Sequence, residues 1–440
     1  MTDMEERLQD TQVVVLMGGL GTRLGESAGK MPKAMVDVGG HPFFDYQLRL
    51  LISWGFKKYL FLTGYRGEAV EQYYGNGSAW GVSIQYSPDG EKQLGTGGAL
   101  RHAAGYLEDV FLLIYGDSFM DIDYGEAVYR FHKGIENGAR GLMTILRNHN
   151  NYDRSNVFYE GGKQFLYDKK NVIPEMQYID YGVSLLKKEC VMGYGEDISF
   201  DLVEVLTLLS KEGKLIPQVV SKRFFEIGRP ESLEEFRQYA SQRFEVPKKA
   251  VFLDRDGVIN EIIWNEDTEQ LDSPLCAEQF QYKADAMEAL KLLREKGYLI
   301  FIVTNQPAAA KGKTTLEKLY DIDTWMLEDL KNKRIEVECV AICPHHPQGS
   351  ARSKEAFLIK DCDCRKPKPG LIQRIMATHC IDVRESYMAG DSYTDIEAGR
   401  RAGLNTAFIG SYKCDLCARL AFQKPDLVAG SLLEFAEMLE

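Results

Sequence analysis

The chain lacks the excess of positive charge that favours nucleic acids or anionic membranes as partners. Its 440 residues include 53 lysines and arginines against 65 aspartates and glutamates, and the formal net charge is -12. No segment approaches the roughly 18 consecutive apolar residues of a membrane span. The N-terminal segment Met1–Arg7 is acidic and has no apolar run. These absences argue against nucleic-acid and membrane partners and lead us to expect a cytoplasmic protein.

Cysteine is scarce in the first half of the chain and concentrated in the second. Of the nine cysteines, eight lie between Cys276 and Cys417, and Cys190 stands apart. In a reducing compartment, this clustering favours metal ligation over disulfide bonds.

The length exceeds that of one typical domain of about 100–200 residues. Strand-like apolar runs alternate with helical patterns in both halves, which predicts an α/β protein with two doubly wound, Rossmann-like domains. A helical pattern ends at Pro247, and a new strand-like run begins at Ala250. We therefore expect one domain over residues 1–244 and a second over residues 248–440.

A glycine-rich turn follows the predicted strand Val13–Met17 in the first half. Its glycines at 18, 19 and 21 let the backbone bend tightly and bring N–H groups against phosphate oxygens. Arg23 can offer a planar fork of donors to the β- and γ-phosphates, and Lys33 adds a second cation. By itself such a turn indicates little, because close packing also uses glycine.

Two further segments favour a nucleotide site. Residues 93–100, Gln-Leu-Gly-Thr-Gly-Gly-Ala-Leu, are predicted to open a helix with glycines where a base or sugar can approach. Asp117 follows the predicted strand Val110–Tyr115, and a carboxylate at the carboxyl end of a strand can hold Mg²⁺. The alternative role for Asp117 is that of a turn or helix-capping carboxylate.

In order, these motifs resemble the sugar-nucleotide pyrophosphorylase family, whose members join a sugar 1-phosphate to a nucleoside triphosphate and release pyrophosphate. The resemblance covers roughly residues 12–240 and is closest to heptose 1-phosphate guanylyltransferases, through segments 94–98 and 178–182. It implies nucleotide contacts at Gly18, Gly19, Gly21, Thr22 and Gly97, phosphate contacts at Arg23 and Lys33, a sugar-contacting loop with Asp180 and Gly182, and Mg²⁺ ligands Asp117 and Glu226.

The second half opens with Asp254-Arg255-Asp256-Gly257 directly after the apolar run Ala250–Leu253. Two carboxylates two residues apart at a strand end allow one to attack phosphorus and the other to transfer a proton to the leaving oxygen. A chance Asp-x-Asp in a loop usually binds nothing. Here it is accompanied by later segments, namely Thr304-Asn305-Gln306, Arg365-Lys366-Pro367, and Gly390-Asp391 with Asp395.

These segments occur in the order typical of haloacid-dehalogenase-type phosphatases, which the second half resembles. The resemblance implies an Asp nucleophile with a general acid/base two residues later, a hydrogen-bond donor to the phosphate, and a lysine that holds the nucleophile and phosphoryl group together. The implied residues are Asp254, Asp256, Thr304 and Lys366 in those roles, Asn305, Gln306 and Arg365 as substrate contacts, and Asp254, Asp256 and Asp391 as Mg²⁺ ligands.

Two cysteine-containing segments, 343–346 (Cys-Pro-His-His) and 362–364 (Cys-Asp-Cys), have spacing suited to a closed tetrahedral Zn²⁺ site. Buried core cysteines are the alternative, but the sequence around both segments is polar. Over roughly residues 248–425, the combination resembles heptose 1,7-bisphosphate 7-phosphatases. This resemblance implies a structural zinc held by Cys343, His345, Cys362 and Cys364, with His346 outside the ligand set. Cys414 and Cys417 have no matching pair left and are interpreted as structural.

Together the two resemblances predict consecutive steps on small-molecule substrates, heptose phosphates and GTP. The phosphatase half would convert heptose 1,7-bisphosphate to heptose 1-phosphate, and the transferase half would convert that product to GDP-heptose. One alternative is a hexose 1-phosphate nucleotidyltransferase fused to a phosphatase for another ester such as histidinol phosphate. Another is that one half serves only as a nucleotide-binding or scaffolding module.

Overall fold

The computed structural model describes residues 4–19, 31–89, 93–162, 164–196, 198–266, 269–411 and 424–440. The chain divides into two compact units, residues 2–241 and 242–440. Residues 242–245 of the π-helical turn Ser241–Glu245 belong to the second unit, where Arg243 Nε donates to the Thr378 carbonyl at 3.0 Å and the Cys380 N–H donates to the Arg243 carbonyl at 2.7 Å. Among the described residues, no helix is both long and apolar enough to cross a bilayer.

The first unit is a three-layer arrangement of helices about a sheet. Its described strands are β1 (Gln12–Leu16), β2 (Asp37–Val38), β3 (His41–Pro42), β4 (Lys58–Thr63), β5 (Ser83–Pro88), β6 (Val110–Tyr115), β7 (Ser118–Phe119), β8 (Gly141–Arg147), β9 (Val157–Glu160), β10 (Gln164–Tyr167), β11 (Tyr178–Lys187), β12 (Leu215–Val220) and β13 (Phe225–Glu226). Its described α-helices are α1 (Met4–Asp10), α2 (Phe43–Trp54), α3 (Gly67–Tyr74), α4 (Gly95–His102), α5 (Tyr124–Glu136), α6 (Glu189–Met192), α7 (Leu202–Lys211) and α8 (Pro230–Ala240).

The centre of this sheet is parallel and its far edge is mixed. β1 lies between β4 and β6, β5 pairs with β4, and all three pairings are parallel. β11 joins β6 antiparallel and leads to β8, β9 and β10. Apolar side chains such as Val14, Leu60 and Phe111, all buried, form the core between the sheet and its helices. The predicted α/β class is confirmed, and the antiparallel strands β8–β11 are an addition that the sequence patterns did not indicate.

The second unit is a doubly wound parallel sheet with helices. Its described strands are β14 (Ala250–Leu253), β15 (Ile263–Asn265), β16 (Gln270–Asp272), β17 (Leu299–Asn305), β18 (Cys339–Cys343), β19 (Tyr387–Gly390), β20 (Asn405–Ile409) and β21 (Leu427–Ala429). Its described α-helices are α9 (Ala286–Glu295), α10 (Leu316–Asn332), α11 (Gly370–Met376), α12 (Tyr393–Arg401) and α13 (Leu432–Met438).

The strand order of the second sheet is β18-β17-β14-β19-β20-β21, with every pairing parallel. β14 is fully buried, which matches its uninterrupted apolar sequence Ala-Val-Phe-Leu. β15 and β16 form a separate antiparallel hairpin. The order reverses at β14, so the carboxyl ends of β14, β17 and β19 form the crevice where open α/β sheets bind their ligands.

Candidate active sites

The first candidate site lies at the carboxyl ends of β1, β4 and β6. Because Leu16 pairs with Tyr115, Gly18 and Asp117 each lie two residues beyond a paired position of neighbouring parallel strands. A cavity of about 400 Å³ opens at this edge, and Gly18, Gly19, Lys33 and Asp117 are among its lining residues. The strand register therefore brings the glycine-rich turn and the predicted metal-binding acid together.

Asp117 is paired with a predicted phosphate-binding cation. Lys33 Nζ lies 2.8 Å from Asp117 Oδ2. Glu226 reaches the same place because it pairs with Ser118 between β13 and β7. Burial raises the pKa of Glu226, Asp117 raises it further, and Lys33 partly offsets both effects. Two carboxylates that repel each other are a hard oxygen donor set, and such a set suits Mg²⁺.

Asp180 and Gly182 lie on β11, not in the loop that we expected. The register of β11 against β8 shifts between Asp180 and Ser184, and Gly182 adopts a φ of 97°. The Gly182 N–H donates to Asp180 Oδ1 at 3.0 Å. Burial raises the pKa of Asp180, while this N–H and Lys169 lower it. A β-bulge of this kind re-aims a side chain out of the regular strand alternation, and a sugar contact by Asp180 stays a prediction.

Several acids of this site act on the same side chain, Tyr115. Its pKa is raised by burial and by the charges of Asp180, Asp201, Asp117 and Glu226. Asp117 already pairs with Lys33, Asp180 accepts from the Gly182 N–H, and Asp201 accepts from Thr96 and the Val203 N–H. A net negative charge at this edge of the sheet favours a cation there.

Two charged residues near this site were missed by the sequence analysis. Lys169 lowers the pKa of both Asp180 and Glu226, so its positive charge acts on the predicted sugar-contacting and metal-binding acids. Asp89 lines the cavity, and burial raises the pKa of its carboxyl. Asp89 follows the carboxyl end of β5, so the rule that ligands bind at strand ends would have selected it.

The glycines of the first site have packing roles that the structure makes explicit. A Cβ on Gly64 would lie 2.9 Å from the Gly18 Cα, so two backbones touch beside the cavity. A Cβ on Gly97 would lie 2.3 Å from ring atom Cε2 of Phe200, and the Gly97 N–H donates to the Phe200 carbonyl at 3.0 Å. Close packing accounts for Gly97, and its nucleotide contact stays a prediction. Gly21, Thr22 and Arg23 lie outside the described residues.

The second candidate site lies at the carboxyl end of β14. Leu253 pairs with Ile302 of β17 and Ala389 of β19, so the segments that follow these three strands converge. Lys366 Nζ lies 3.0 Å from Asp254 Oδ1 and 2.6 Å from Asp395 Oδ1, and its side chain is only 1% exposed. A buried ammonium between two carboxylates neutralises part of their charge and fixes the position of Asp254.

The carboxylates of the second site repel one another. Burial raises the pKa of Asp254 to about 7, with Lys366 opposing and Asp395, Asp391 and Asp256 adding to the increase. Burial and Asp395 raise the pKa of Asp391 to about 6. Carboxylate oxygens of Asp254, Asp391 and Asp395 lie within 4.8 Å of one another. Such a group suits a Mg²⁺ ion, which would relieve this repulsion.

The carboxylate of Asp256, a predicted Mg²⁺ ligand, is not part of that three-acid group. Gln306 Nε2 donates to Asp256 Oδ2 at 2.6 Å, Asn260 Nδ2 donates to Oδ1 at 3.0 Å, and Arg255 contacts both oxygens at 3.2–3.3 Å. Asp395, which the sequence analysis noted but did not select as a ligand, is the third acid of the group. Side-chain donors thus fix the orientation of the Asp256 carboxylate, and its role in proton transfer stays a prediction.

The last two residues of β17 and the residue that follows it support this arrangement. Thr304 Oγ1 accepts a hydrogen bond from Gln306 Nε2 at 2.9 Å. Asn305 is joined to Lys366 by two hydrogen bonds of 3.1 Å, from Asn305 Nδ2 to the Lys366 carbonyl and from the Lys366 N–H to Asn305 Oδ1. Asn305 therefore fixes the backbone that carries the buried lysine. Direct contacts of these side chains with substrate stay predictions.

Cys343, His345, Cys362 and Cys364 form a four-residue group. The Sγ of Cys364 lies 3.2 Å from the Sγ atoms of Cys343 and Cys362, and His345 Nδ1 also lies 3.2 Å from it. The Sγ atoms of Cys343 and Cys362 are 3.6 Å apart. A tetrahedral zinc with Zn–S bonds of roughly 2.3 Å and a Zn–N bond of roughly 2.0–2.1 Å separates its ligand atoms by about 3.5–3.8 Å. The group has the ligand types of a zinc site, and several of its ligand atoms lie a few tenths of an ångström closer together than in a zinc-bound site.

The group of three cysteines and His345 is connected to the second candidate site. Arg365 Nη1 donates to the His345 carbonyl at 3.2 Å, and Arg365 directly follows Cys364 and precedes Lys366. His346 instead accepts a hydrogen bond at Nδ1 from the Gln348 N–H at 3.1 Å. A metal at the group would hold the loop that carries Arg365 and Lys366. Cys414 and Cys417 lie outside the described residues.

We expect about one tightly bound zinc ion per chain. Cys362→Ser should lower the zinc content below half and lower the melting temperature of the second unit by roughly 10 °C, because metal binding contributes folding free energy. Elemental analysis and calorimetry measure the two effects. Cys380→Ser is the matched control, since Cys380 is a free, partly buried cysteine outside the group. Zinc-free protein purified without chelator would contradict the assignment.

Comparisons with known proteins agree with this geometry. Residues 12–154 match a family model described as Nucleotidyl transferase, and residues 363–435 match a HAD-hydrolase-like model. The D-glycero-alpha-D-manno-heptose-1,7-bisphosphate 7-phosphatase of Photorhabdus laumondii is 40% identical over 162 residues, which are 37% of this chain and 81% of that protein. The chain belongs to the D-glycero-D-manno-heptose-1,7-bisphosphate 7-phosphatase family.

A second member of this phosphatase family, the D-glycero-beta-D-manno-heptose-1,7-bisphosphate 7-phosphatase of Pasteurella multocida, is 35% identical over 167 residues, 38% of this chain and 84% of that protein. HddC from Yersinia pseudotuberculosis, solved with GMP-PN, is 23% identical and covers 52% of this chain and 99% of its own, with a TM-score of 0.40. The chain thus joins a nucleotidyltransferase domain to a domain of the heptose-bisphosphate phosphatase family, and both are catalytic types.

Proposed function

We propose that this chain is a bifunctional enzyme of nucleotide-activated heptose synthesis. Its second unit removes the 7-phosphate of heptose 1,7-bisphosphate, and its first unit transfers GMP from GTP to the resulting heptose 1-phosphate. The observation that carries the proposal is the presence in one chain of a nucleotidyltransferase domain and a heptose-bisphosphate phosphatase domain, because the product of one reaction is the substrate class of the other. Both reactions take place in the cytoplasm, where GTP is available.

In the phosphatase unit, an Asp254 oxygen attacks the phosphorus of the 7-phosphate. The bond between phosphorus and the C7 oxygen breaks, and Asp256 donates a proton to that oxygen, so the sugar leaves as an alcohol. Water then attacks the phosphorus of the aspartyl phosphate, Asp256 accepts its proton, and phosphate is released. Lys366 holds the nucleophile in place at 3.0 Å. Mg²⁺ bound by Asp254, Asp391 and Asp395 would neutralise charge on the transferring phosphoryl group.

In the transferase unit, a phosphate oxygen of heptose 1-phosphate attacks the α-phosphorus of GTP, and the bond to the departing pyrophosphate breaks. Both reactants are anions, so catalysis consists mainly of positioning and charge neutralisation. Lys33 supplies a cation at the cavity, and Mg²⁺ held by Asp117 and Glu226 would supply further positive charge. The charge of Lys169 acts on Asp180, the predicted sugar contact, and lowers the pKa of its carboxyl.

The guanine nucleotide and the α-anomer are the finer parts of the proposal. GTP is supported by the segments 94–98 and 178–182, which resemble those of heptose 1-phosphate guanylyltransferases. The α-anomer is supported by the same likeness and by the relative named for the α-bisphosphate, which is 40% identical, against 35% for the β-named relative of Pasteurella multocida.

A panel of substrates tests the proposal directly. The full-length enzyme with Mg²⁺, GTP and heptose 1,7-bisphosphate should release phosphate first and pyrophosphate second, and GDP-heptose should accumulate. Each nucleoside triphosphate, both anomers, hexose 1-phosphates and histidinol phosphate are compared by kcat/KM. We expect GTP and the α-heptose substrates to exceed the others by at least about tenfold, the effect of one well-placed contact. Faster hydrolysis of histidinol phosphate, or faster use of a hexose 1-phosphate, would contradict the heptose assignment.

A further inference from the structure

Arg255 lies between the two aspartates of the phosphatase motif and is completely buried. Its side chain is 0% exposed. Its Nε and Nη2 atoms each lie 3.2 Å from Asp256 Oδ1, and its Nη1 atom lies 2.8 Å from Asp323 Oδ1 in α10. One guanidinium therefore joins a carboxylate of the catalytic loop to a carboxylate of a helix. Burial of these charges is tolerated only because they are paired.

We propose that Asp323 is a positioning residue for the proton donor Asp256 and acts through Arg255. The proposal rests on the proposed phosphatase function of this unit. The guanidinium is a rigid planar fork. When Nη1 is fixed by Asp323, the opposite edge of the fork can meet Asp256 in one orientation only. Without the Asp323 charge, the buried cation has a single anionic partner in this network and turns toward it.

The other contacts of Asp256 carry no charge, so Arg255 and Asp323 contribute something that those contacts do not. Gln306 and Asn260 donate to the two carboxylate oxygens at 2.6 and 3.0 Å, and both are neutral amides. Arg255 adds a charge-assisted contact to Asp256. Asp323 of α10, on the opposite side of the guanidinium, sets the direction of this contact. The carboxylate must remain aligned with the leaving oxygen of a substrate attacked by Asp254.

The identity of the leaving group separates proton donation from the rest of the reaction. A sugar alkoxide leaves only if it receives the Asp256 proton, whereas 4-nitrophenolate leaves from 4-nitrophenyl phosphate without protonation. The parameter kcat/KM covers the steps up to release of this first product and excludes hydrolysis of the aspartyl phosphate. The ratio of kcat/KM for the heptose bisphosphate to kcat/KM for 4-nitrophenyl phosphate therefore measures proton donation.

The test compares full-length Asp323→Asn with the parent enzyme. We expect the ratio to fall about tenfold in Asp323→Asn and about a hundredfold in Asp256→Asn, because a positioned general acid contributes about 10²–10⁴ to the rate. KM for the bisphosphate should change less than about threefold, since substrate contacts are retained. Asp321→Asn is the matched control, an exposed acid two residues earlier on the same helix, and its ratio should equal that of the parent.

The outcomes distinguish the positioning role of Asp323 from the proposed phosphatase function. An unchanged ratio in Asp323→Asn, together with a reduced ratio in Asp256→Asn, would overturn the role of Asp323 and leave the phosphatase function intact. Equal losses with both esters would assign Asp323 a structural role only. If Asp323→Asn does not fold, Asp323→Glu keeps the charge at a changed distance, and its ratio must lie below that of the parent. A parent enzyme that hydrolyses neither ester would overturn the proposed phosphatase function itself.

Discussion

Asp254→Asn is expected to lower phosphate release from heptose 1,7-bisphosphate by at least about 10⁴-fold, as loss of a covalent nucleophile does. The amide has nearly the same shape as the carboxylate but cannot attack phosphorus. Asp254 Oδ1 also accepts the Arg255 N–H at 2.7 Å and lies 3.0 Å from Lys366 Nζ, so the substitution removes charge at the centre of the site. Phosphate release is followed in the full-length chain with Mg²⁺ and without GTP.

The same variant separates the two proposed activities. Given the bisphosphate and GTP, it should form no GDP-heptose, whereas added heptose 1-phosphate should restore GDP-heptose at the parental rate. The exposed-acid variant Asp321→Asn should behave as the parent in both reactions. Conversion of the bisphosphate by Asp254→Asn at a near-parental rate would mean that the nucleophile is another residue or that the first unit accepts the bisphosphate directly.

Much of the fold is predictable because its central strands are buried on both faces. The run Val110–Tyr115 is uninterrupted apolar sequence, and β6 has the same bounds. The helix α2 likewise ends where its sequence allows a left-handed residue, at Gly55 with a φ of 102°. Local sequence and tertiary environment agree at these elements, so periodicity alone is sufficient to place them.

The mixed edge of the first sheet was not predictable in the same way. The resemblance to sugar-nucleotide pyrophosphorylases implied a sugar-contacting loop at residues 178–182, Tyr-Ile-Asp-Tyr-Gly. In the structure these residues are the first five of β11. The register of β11 against β8 shifts between Asp180 and Ser184, and this irregularity accommodates Gly182 at a φ of 97°. An irregular strand is stabilised by its neighbours, and no local pattern in its own sequence indicates it.

The sequence also could not predict which acids of the phosphatase site lie together in the fold. The resemblance to haloacid-dehalogenase-type phosphatases implied Asp254, Asp256 and Asp391 as metal ligands. In the structure the carboxylate of Asp395 lies with those of Asp254 and Asp391, because α12 begins at Tyr393 and turns Asp395 back toward Lys366. Which of several nearby carboxylates meet depends on the direction of the first helical turn, and residue spacing does not determine that direction.

Asp117→Ala is expected to lower pyrophosphate release from GTP and heptose 1-phosphate by at least about a thousandfold, because charge neutralisation is the main contribution to this reaction. The variant removes one of the two carboxylates proposed to hold Mg²⁺ and leaves Glu226 without that partner. Its phosphate release from the bisphosphate should be unchanged, since the phosphatase groups all belong to residues 242–440. Pyrophosphate and phosphate are measured in parallel on the same preparation.

Asp10→Ala is the matched control, because it also removes an acid that pairs with a lysine in the first unit. Asp10 pairs with Lys58 at 3.3 Å and Asp117 pairs with Lys33 at 2.8 Å, but Asp10 is 65% exposed and lies at the end of α1. An exposed ion pair contributes about 0–1 kcal/mol, so Asp10→Ala should retain both activities. Equal loss of pyrophosphate and phosphate release in a folded Asp117→Ala protein would contradict two independent sites. Retention of pyrophosphate release would show that Asp117 is a turn carboxylate and that Glu226 or another acid binds the metal.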